Sequence, residues 1–244
     1  MVQRQKQFLL EQKLPLWRVQ TDMVYIKKQR EPKELAQYRK MNGSSYAGLS
    51  GKDKLAVYVA LIKEQYGLCA YCMSRIFYKD EVRRNIQIEH FTPQSDSDLG
   101  TAKSLDYTNM LGVCDGGTAH NKRNEITGKE SLSCDVYKGD KILSLNPSKK
   151  DDFEKMKIYY SSNGRIHSRN PQFDEELNSV LNLNTPRLIA ERKNVKQKVI
   201  QFISQHKKLS EAKKAEMIRS FKTPNSGLLM PFYDVAVHFM ELLA

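Results

Sequence analysis

Cys69-Ala70-Tyr71-Cys72, answered far downstream by Cys114 and Cys134, is the stretch whose reading decides the fold. It opens a segment that holds every cysteine of the chain, with Glu89, His90, Asn109 and Asp135 threaded between them. Two cysteines separated by two residues can turn as a knuckle and offer both thiolates to one tetrahedral metal, which suits zinc at about 2.3 Å per sulfur. Cys114 and Cys134 complete such a shell. The metal then supplies folding energy to a region too poor in apolar side chains for a core of its own. Segment 115–133 has that composition, with Gly116, Gly117, Gly128 and many charges. Four unrelated buried thiols are the competing reading, since one Cys-x-x-Cys with two single cysteines says less than a doubled pair. Disulfides come third, because no signal peptide is read at the start of the chain and the thiols of a cytoplasmic protein stay reduced.

Between the cysteines, Asn85-Ile-Gln-Ile-Glu-His90-Phe alternates apolar and polar residues and predicts a short strand, with Pro93 just beyond its end. A carboxylate can hold a hard divalent cation, and a neutral imidazole can take a proton from water near pH 7. Neighbouring strand side chains face opposite ways. Glu89 and His90 therefore reach one site only at a bulge or a strand end. Taken alone, a Glu beside a His is a common surface pair, and the cysteine frame is what makes this one a candidate.

The order Cys-x-x-Cys, Ile-Glu-His90-Phe-x-Pro-Gln-Ser, Asp-Tyr-x-Asn109-Met-Leu-x-x-Cys114, Cys134-Asp135-x-x-Lys138 resembles the HNH endonucleases, over about residues 66–146. More closely it is similar to the PtuB subunits of Septu anti-phage defence systems, also found linked to retrons. That likeness runs from Met23 almost to the C-terminus through Tyr-Ile-Lys-Lys-x-x-Glu-Pro-Lys, Leu145-Asn146-Pro147 and Leu181-Asn-Leu-Asn184. The resemblance implies a zinc-stapled ββα-metal nuclease core. It makes His90 the general base, Glu89 a ligand of a catalytic Mg2+ or Mn2+, and Asn109 the residue that fixes the loop between the strands and supports the base. Asp135 stands where many relatives place a final His or Asn, and becomes the second metal ligand. Lys138 follows it as the family's lysine follows its last motif residue. The insertion between Cys114 and Cys134 leaves His120, Asn121 and Asn124 as rivals for Asp135's place. The implied partners are nucleic acid, an ABC-type ATPase like PtuA that restrains or activates the nuclease, and, in retron-linked systems, a reverse transcriptase with its nucleic acid.

Those residue types suit phosphodiester hydrolysis, which needs a cation on the scissile phosphate, a base for the attacking water and stabilisation of the leaving oxygen. DNA is the default substrate of the family, and the same groups attack RNA equally. A zinc-dependent nucleic-acid-binding adaptor with no catalysis is the alternative class. No Gly-x-x-x-x-Gly-Lys-Ser/Thr loop occurs in the sequence, so ATP chemistry belongs to a partner.

The 244 residues carry 40 Lys and Arg against 28 Asp and Glu, a formal charge of +12 that favours a polyanionic partner. No apolar run approaches a membrane span. Residues 1–22 read as a dispensable N-terminal extension and 23–68 as a helical region. Ser50-Gly-Lys-Asp53 reads as a capping box for a core helix over Leu55–Ile62 that ends at Gly67. The nuclease core is set at 69–146. Residues 147–244 begin with a hairpin around Ser161-Ser-Asn-Gly164, on which His167 reads as structural. Helices follow over Phe173–Leu181, from Thr185-Pro186 to about Gln205, over Ser210–Phe221 and over Pro231–Leu243. Between Arg187 and Lys222 there are 11 Lys and Arg against 3 Asp and Glu, so Lys193, Lys196 and Lys198 are candidate nucleic-acid contacts, with Lys138. The fold class is α+β, a small nuclease core embedded in a mainly helical protein.

Overall fold

Two short antiparallel hairpins are held in a largely helical body in the computed structural model, which describes residues 23–206 and 209–243. The reading of residues 1–22 lies outside that range. The chain is α+β, as its alternating and helical sequence patterns require.

An extended segment leads into α1 (Lys33–Tyr38) and α2 (Gly51–Glu64). Ser50 takes the extended backbone of an N-cap, but its side chain makes no cap hydrogen bond. The capping box read from Ser50 and Asp53 is therefore present only as backbone geometry. Helix α2 buries Val57, Tyr58, Leu61 and Glu64 on one side, while Val59 is 54% exposed. It packs on the core by a stripe rather than all round. The helix stops as Tyr66 and Gly67 both turn to positive φ, and Gly67 N–H donates to Ile62 O at 2.8 Å. That places the Cys69 knuckle directly after a rigid element.

Strand β1 (Gln87–His90) pairs antiparallel with β2 (Met110–Val113), with Glu89 opposite Leu111 and His90 opposite Met110. The outer edge of β2 is covered by a side chain. Gln65 Oε1 accepts from Gly112 N–H at 2.7 Å, and its Nε2 donates to Gly112 O at 2.7 Å. Lys28 fastens the N-terminal segment to the same strand. Its Nζ donates to Met110 O at 2.8 Å, pairs with Glu64 at 2.5 Å and lies 3.8 Å from the centre of the Tyr107 ring. The loop between β1 and β2 carries α3 (Gly100–Lys103) and a 3-10 turn over Tyr107–Asn109. After β2 come α4 (Thr118–Arg123), a 3-10 turn over Lys129–Ser131 and α5 (Cys134–Lys138).

Helix α6 (Lys150–Met156) precedes the second hairpin, β3 (Ile158–Tyr160) with β4 (Ile166–Ser168). Gly164 supplies its turn at φ +83°. His167 stacks on Tyr159 and stands 3.6 Å from Asp174, a structural place. Then follow α7 (Pro171–Ser179), α8 (Pro186–Gln205), α9 (Glu211–Lys222) and α10 (Tyr233–Leu243). Thr185 and Ser210 cap α8 and α9 with their side chains, as expected of a hydroxyl before a first turn. Helix α10 buries nearly every residue and forms the centre around which α8 and α9 pack. The regions read as 23–68, 69–146 and 147–244 share one apolar core.

Candidate active site and metal centre

Four sulfurs at about 2.3 Å from one centre stand about 3.8 Å apart in a tetrahedron. The sulfurs of Cys69 and Cys134 are 3.9 Å apart, Cys72 and Cys114 3.7 Å, and Cys114 and Cys134 3.7 Å. All four cysteines are buried and free of disulfides, and their sulfurs lie within 4.8 Å of one another. The cluster can hold a metal such as zinc. Without a metal, burial raises the Cys69 thiol and hydrogen bonds among the cysteines raise Cys134, while hydrogen bonds from the same neighbours lower Cys72. A bound cation is the ordinary way to keep four such sulfurs as thiolates.

The knuckle comes from the turn after α2, Cys114 follows β2, and Cys134 opens α5. Cys134 has φ +56°, and its N–H donates to Leu181 O at 2.8 Å. Asp135 and Lys138 therefore enter the site from a helix whose first residue is itself part of the cysteine cluster.

Strand β1 ends at His90, and the charges of Asp135 and Lys138 act on both Glu89 and His90, although the two side chains have different contact partners. Glu89 is 4% exposed. Its Oε1 accepts from the Tyr71 hydroxyl at 2.9 Å and lies 2.8 Å from Lys138 Nζ. Burial, followed by hydrogen bonding and charge from Asp135, holds the Glu89 carboxyl well above the usual carboxylate range, while Lys138 pulls it down. Two carboxylates thus face one lysine. The deficit of positive charge suits a hard divalent cation, and Mg2+ commonly takes one or two carboxylates together with substrate phosphate oxygens. Among the described residues the cysteines are the one group of three or more metal-binding side chains found together, and Glu89, His90 and Asp135 do not make a second such group.

His90 is buried among oriented partners. Ser104 O can only accept, so the 2.8 Å contact to Nε2 places the ring proton there and leaves Nδ1 with a lone pair. Gln94 Nε2 donates to that lone pair at a long 3.3 Å, and the Tyr46 ring meets the imidazole edge-on at 4.4 Å. Burial pushes His90 below the ordinary histidine range, against the Ser104 carbonyl and the Asp135 charge. The ring is a neutral base at pH 7. Asn109 pins the loop that carries these partners: its Oδ1 accepts from Thr92 N–H at 2.8 Å, and its Nδ2 donates to Thr92 O at 3.0 Å and Lys103 O at 3.3 Å.

The rivals for Asp135's place belong to the insertion. Asn124 donates to His120 O at 2.8 Å, and Asn121 donates to Ser131 Oγ at 2.7 Å. Two expectations about lysines need correction. Lys138 is 2% exposed and ion-paired with Glu89, so it neutralises a carboxylate inside the site and offers no surface contact. Lys196 is 6% exposed, donates to Ser162 O at 2.9 Å and lies 5.2 Å from the centre of the Phe239 ring. It belongs to the packing of α8, whereas Lys193 and Lys198 are exposed. Tyr71, Tyr46, Gln94 and the Ser104 carbonyl were not read from the sequence. Tyr71 and Gln94 stand inside the quoted motifs, but the role of each of the four comes from a fold contact. No protein-family model matches the chain, and no curated protein matches it.

Proposed function

We propose that the chain is a metal-dependent endonuclease of the HNH type, hydrolysing phosphodiester bonds of nucleic acid, with DNA the favoured substrate. The observation that carries the reading is a neutral, oriented imidazole, a buried carboxyl and a loop-pinning asparagine on one antiparallel hairpin, with a second carboxylate brought to the first by the short helix α5. The zinc identity of the cysteine-bound metal belongs to the same reading, as does the ββα-metal topology.

Glu89 and Asp135 would hold Mg2+ or Mn2+, which supplies charge stabilisation to the phosphate and the leaving oxygen. His90 Nδ1 takes a proton from the attacking water as the new P–O bond forms and the bond to the leaving sugar oxygen breaks. The leaving oxygen then takes a proton from solvent. Ser104 O holds the imidazole in the required tautomer and receives a stronger hydrogen bond as the ring becomes charged. Lys138 offsets part of what burial and Asp135 cost the Glu89 carboxylate. Asn109 keeps the 91–109 loop, and with it Gln94 and Ser104, at fixed positions around the ring.

By its resemblance to PtuB, the nuclease acts in anti-phage defence under control of an ABC-type ATPase. The test is cleavage of plasmid DNA and of structured RNA by the purified protein, with and without Mg2+ or Mn2+, beside His90→Ala. Removing a general base costs about 10² to 10⁴ in rate. The variant is expected to keep its fold and bound zinc while cleavage falls by that factor. Equal cleavage by variant and wild type removes His90 from the role of base, and absence of any cation-dependent cleavage by the wild type removes the nuclease reading.

A further inference from the structure

A cleft of about 760 Å³ opens beside the cysteine cluster, at the N-terminal end of α8. One wall is the irregular hairpin closed by the Tyr78–Arg84 bridge, which brings Lys79, Arg83 and Arg84 to the cleft. The other wall is α4 of the insertion, with Lys122 and Arg123. Cys114 and Gly117 lie at the floor, and Arg187 at the start of α8 closes one side. Seven Lys and Arg line the cleft against Asp115 and Glu191.

The charges are not equally available. Arg83 is paired with Asp80 at 2.6 Å and Arg84 with Glu81 at 3.2 Å, while Arg75 is spent on the Gly67 and Leu229 carbonyls. Lys79, Lys122 and Arg123 have exposed side chains and no ion pair among the described residues. Three free cations on two facing walls make a site for a polyanion that runs between them. The cleft borders the cysteine cluster at Cys114, and its Arg84 reaches toward the packing around the candidate active site. Arg84 lies 5.2 Å from the centre of the Tyr58 ring and acts electrostatically on Tyr46, the ring packed edge-on to His90.

We infer that this cleft binds the phosphate backbone of the nucleic acid, with Lys79, Lys122 and Arg123 as its phosphate contacts. The insertion between Cys114 and Cys134 thereby has a use: it builds the second wall. The cysteine cluster holds both walls, since Cys69 and Cys72 precede the hairpin and Cys114 precedes α4. The choice of nucleic acid as the polyanion rests on the nuclease reading, but binding itself does not need catalysis.

The experiment therefore measures binding in a His90→Ala background, using a fluorescent 30-base-pair DNA and the same sequence as single-stranded RNA across a salt series. Each phosphate contact contributes nearly one unit to the slope of log affinity against log salt. Lys79→Glu, Lys122→Glu and Arg123→Glu combined are expected to weaken binding by at least about tenfold at low salt and to flatten the slope by about 3 units. Metal content and the unfolding transition of the triple variant should match the parent, because all three side chains are exposed. Lys193→Glu with Lys198→Glu, on the solvent side of α8, serves as the comparison and is expected to change the slope less. Unchanged affinity and slope in the triple variant overturn the inference and leave the cleft to a protein partner. A strong effect in the triple variant with no cleavage by the wild type keeps the cleft and discards the nuclease.

Discussion

Lys138 Nζ lies 2.8 Å from Glu89 Oε1 with both side chains at or below 5% exposure, and Asp135 adds a second carboxylate against the same pair. Removing the lysine leaves negative charge buried without its cation, which typically costs about 3–5 kcal/mol. Lys138→Met is expected to show a loss of that order in urea unfolding. Tyr71→Phe, which deletes only the hydroxyl that donates to Glu89, should cost about 1 kcal/mol. Equal losses for the two variants would show that Lys138 acts as a packing stem and not as a charge. At this scale the sequence is legible where a site is written locally. Glu89 and His90 are adjacent on a strand that ends before Pro93, and both feel the charges of Asp135 and Lys138. Tyr71 and Lys138 are 18 and 49 positions from Glu89 along the chain, so their contact with it follows only from how β1, the knuckle and α5 pack.

Helix α8 shows why elements were easier to place than their faces. Its start was legible because Thr185 accepts from Leu188 N–H and Pro186 fits a first turn that needs no N–H. The buried face, however, consists of Leu188, Arg192, Lys196 and Val199, spaced as one stripe. Apolar residues alone place Lys196 outside that stripe. Carbonyl acceptors bring it in: Leu183 O takes Arg192 Nη1 at 2.8 Å, and Ser162 O takes Lys196 Nζ at 2.9 Å. Helix α5 depends on a different device, since its first residue belongs to the cysteine cluster and its second faces Glu89. Loss of the metal should therefore act on stability and on the active site together. Dialysis against a strong thiol-competing chelator is expected to lower the unfolding temperature and to abolish cleavage that Mg2+ alone does not restore. Atomic-absorption zinc measured in parallel decides the outcome: a protein that contains no zinc and whose melting is indifferent to chelator refutes the staple.

Across the whole molecule the three segments close on one another through backbone hydrogen bonds that no local pattern announces. Ile26 N–H meets Pro147 O at 3.1 Å, Phe232 N–H meets Met73 O at 3.1 Å, and Leu229 N–H meets Tyr66 O at 3.0 Å. The centre of the C-terminal half is polar as well as apolar. Asp234 is fully buried on α10, where the Tyr160 hydroxyl of β3 donates to it and Arg192 of α8 contributes a positive charge. His238, on the same helix, donates to Tyr160 O at 2.9 Å. Burial outweighs these partners and pushes Asp234 up to about 6, from an ordinary value of 3.8. The folded state therefore holds a proton that the unfolded state has released, and the stability this contributes is fully present below about pH 4 and lost as pH rises through about 6. The displacement corresponds to about 3 kcal/mol. Other groups titrate in the same range, so the useful quantity is a difference between proteins. Asp234→Asn keeps the shape and removes the titration. Acidification from pH 7 to pH 5 should raise the urea midpoint of the wild type relative to that variant, and parallel midpoints over this range would place the Asp234 proton outside the window.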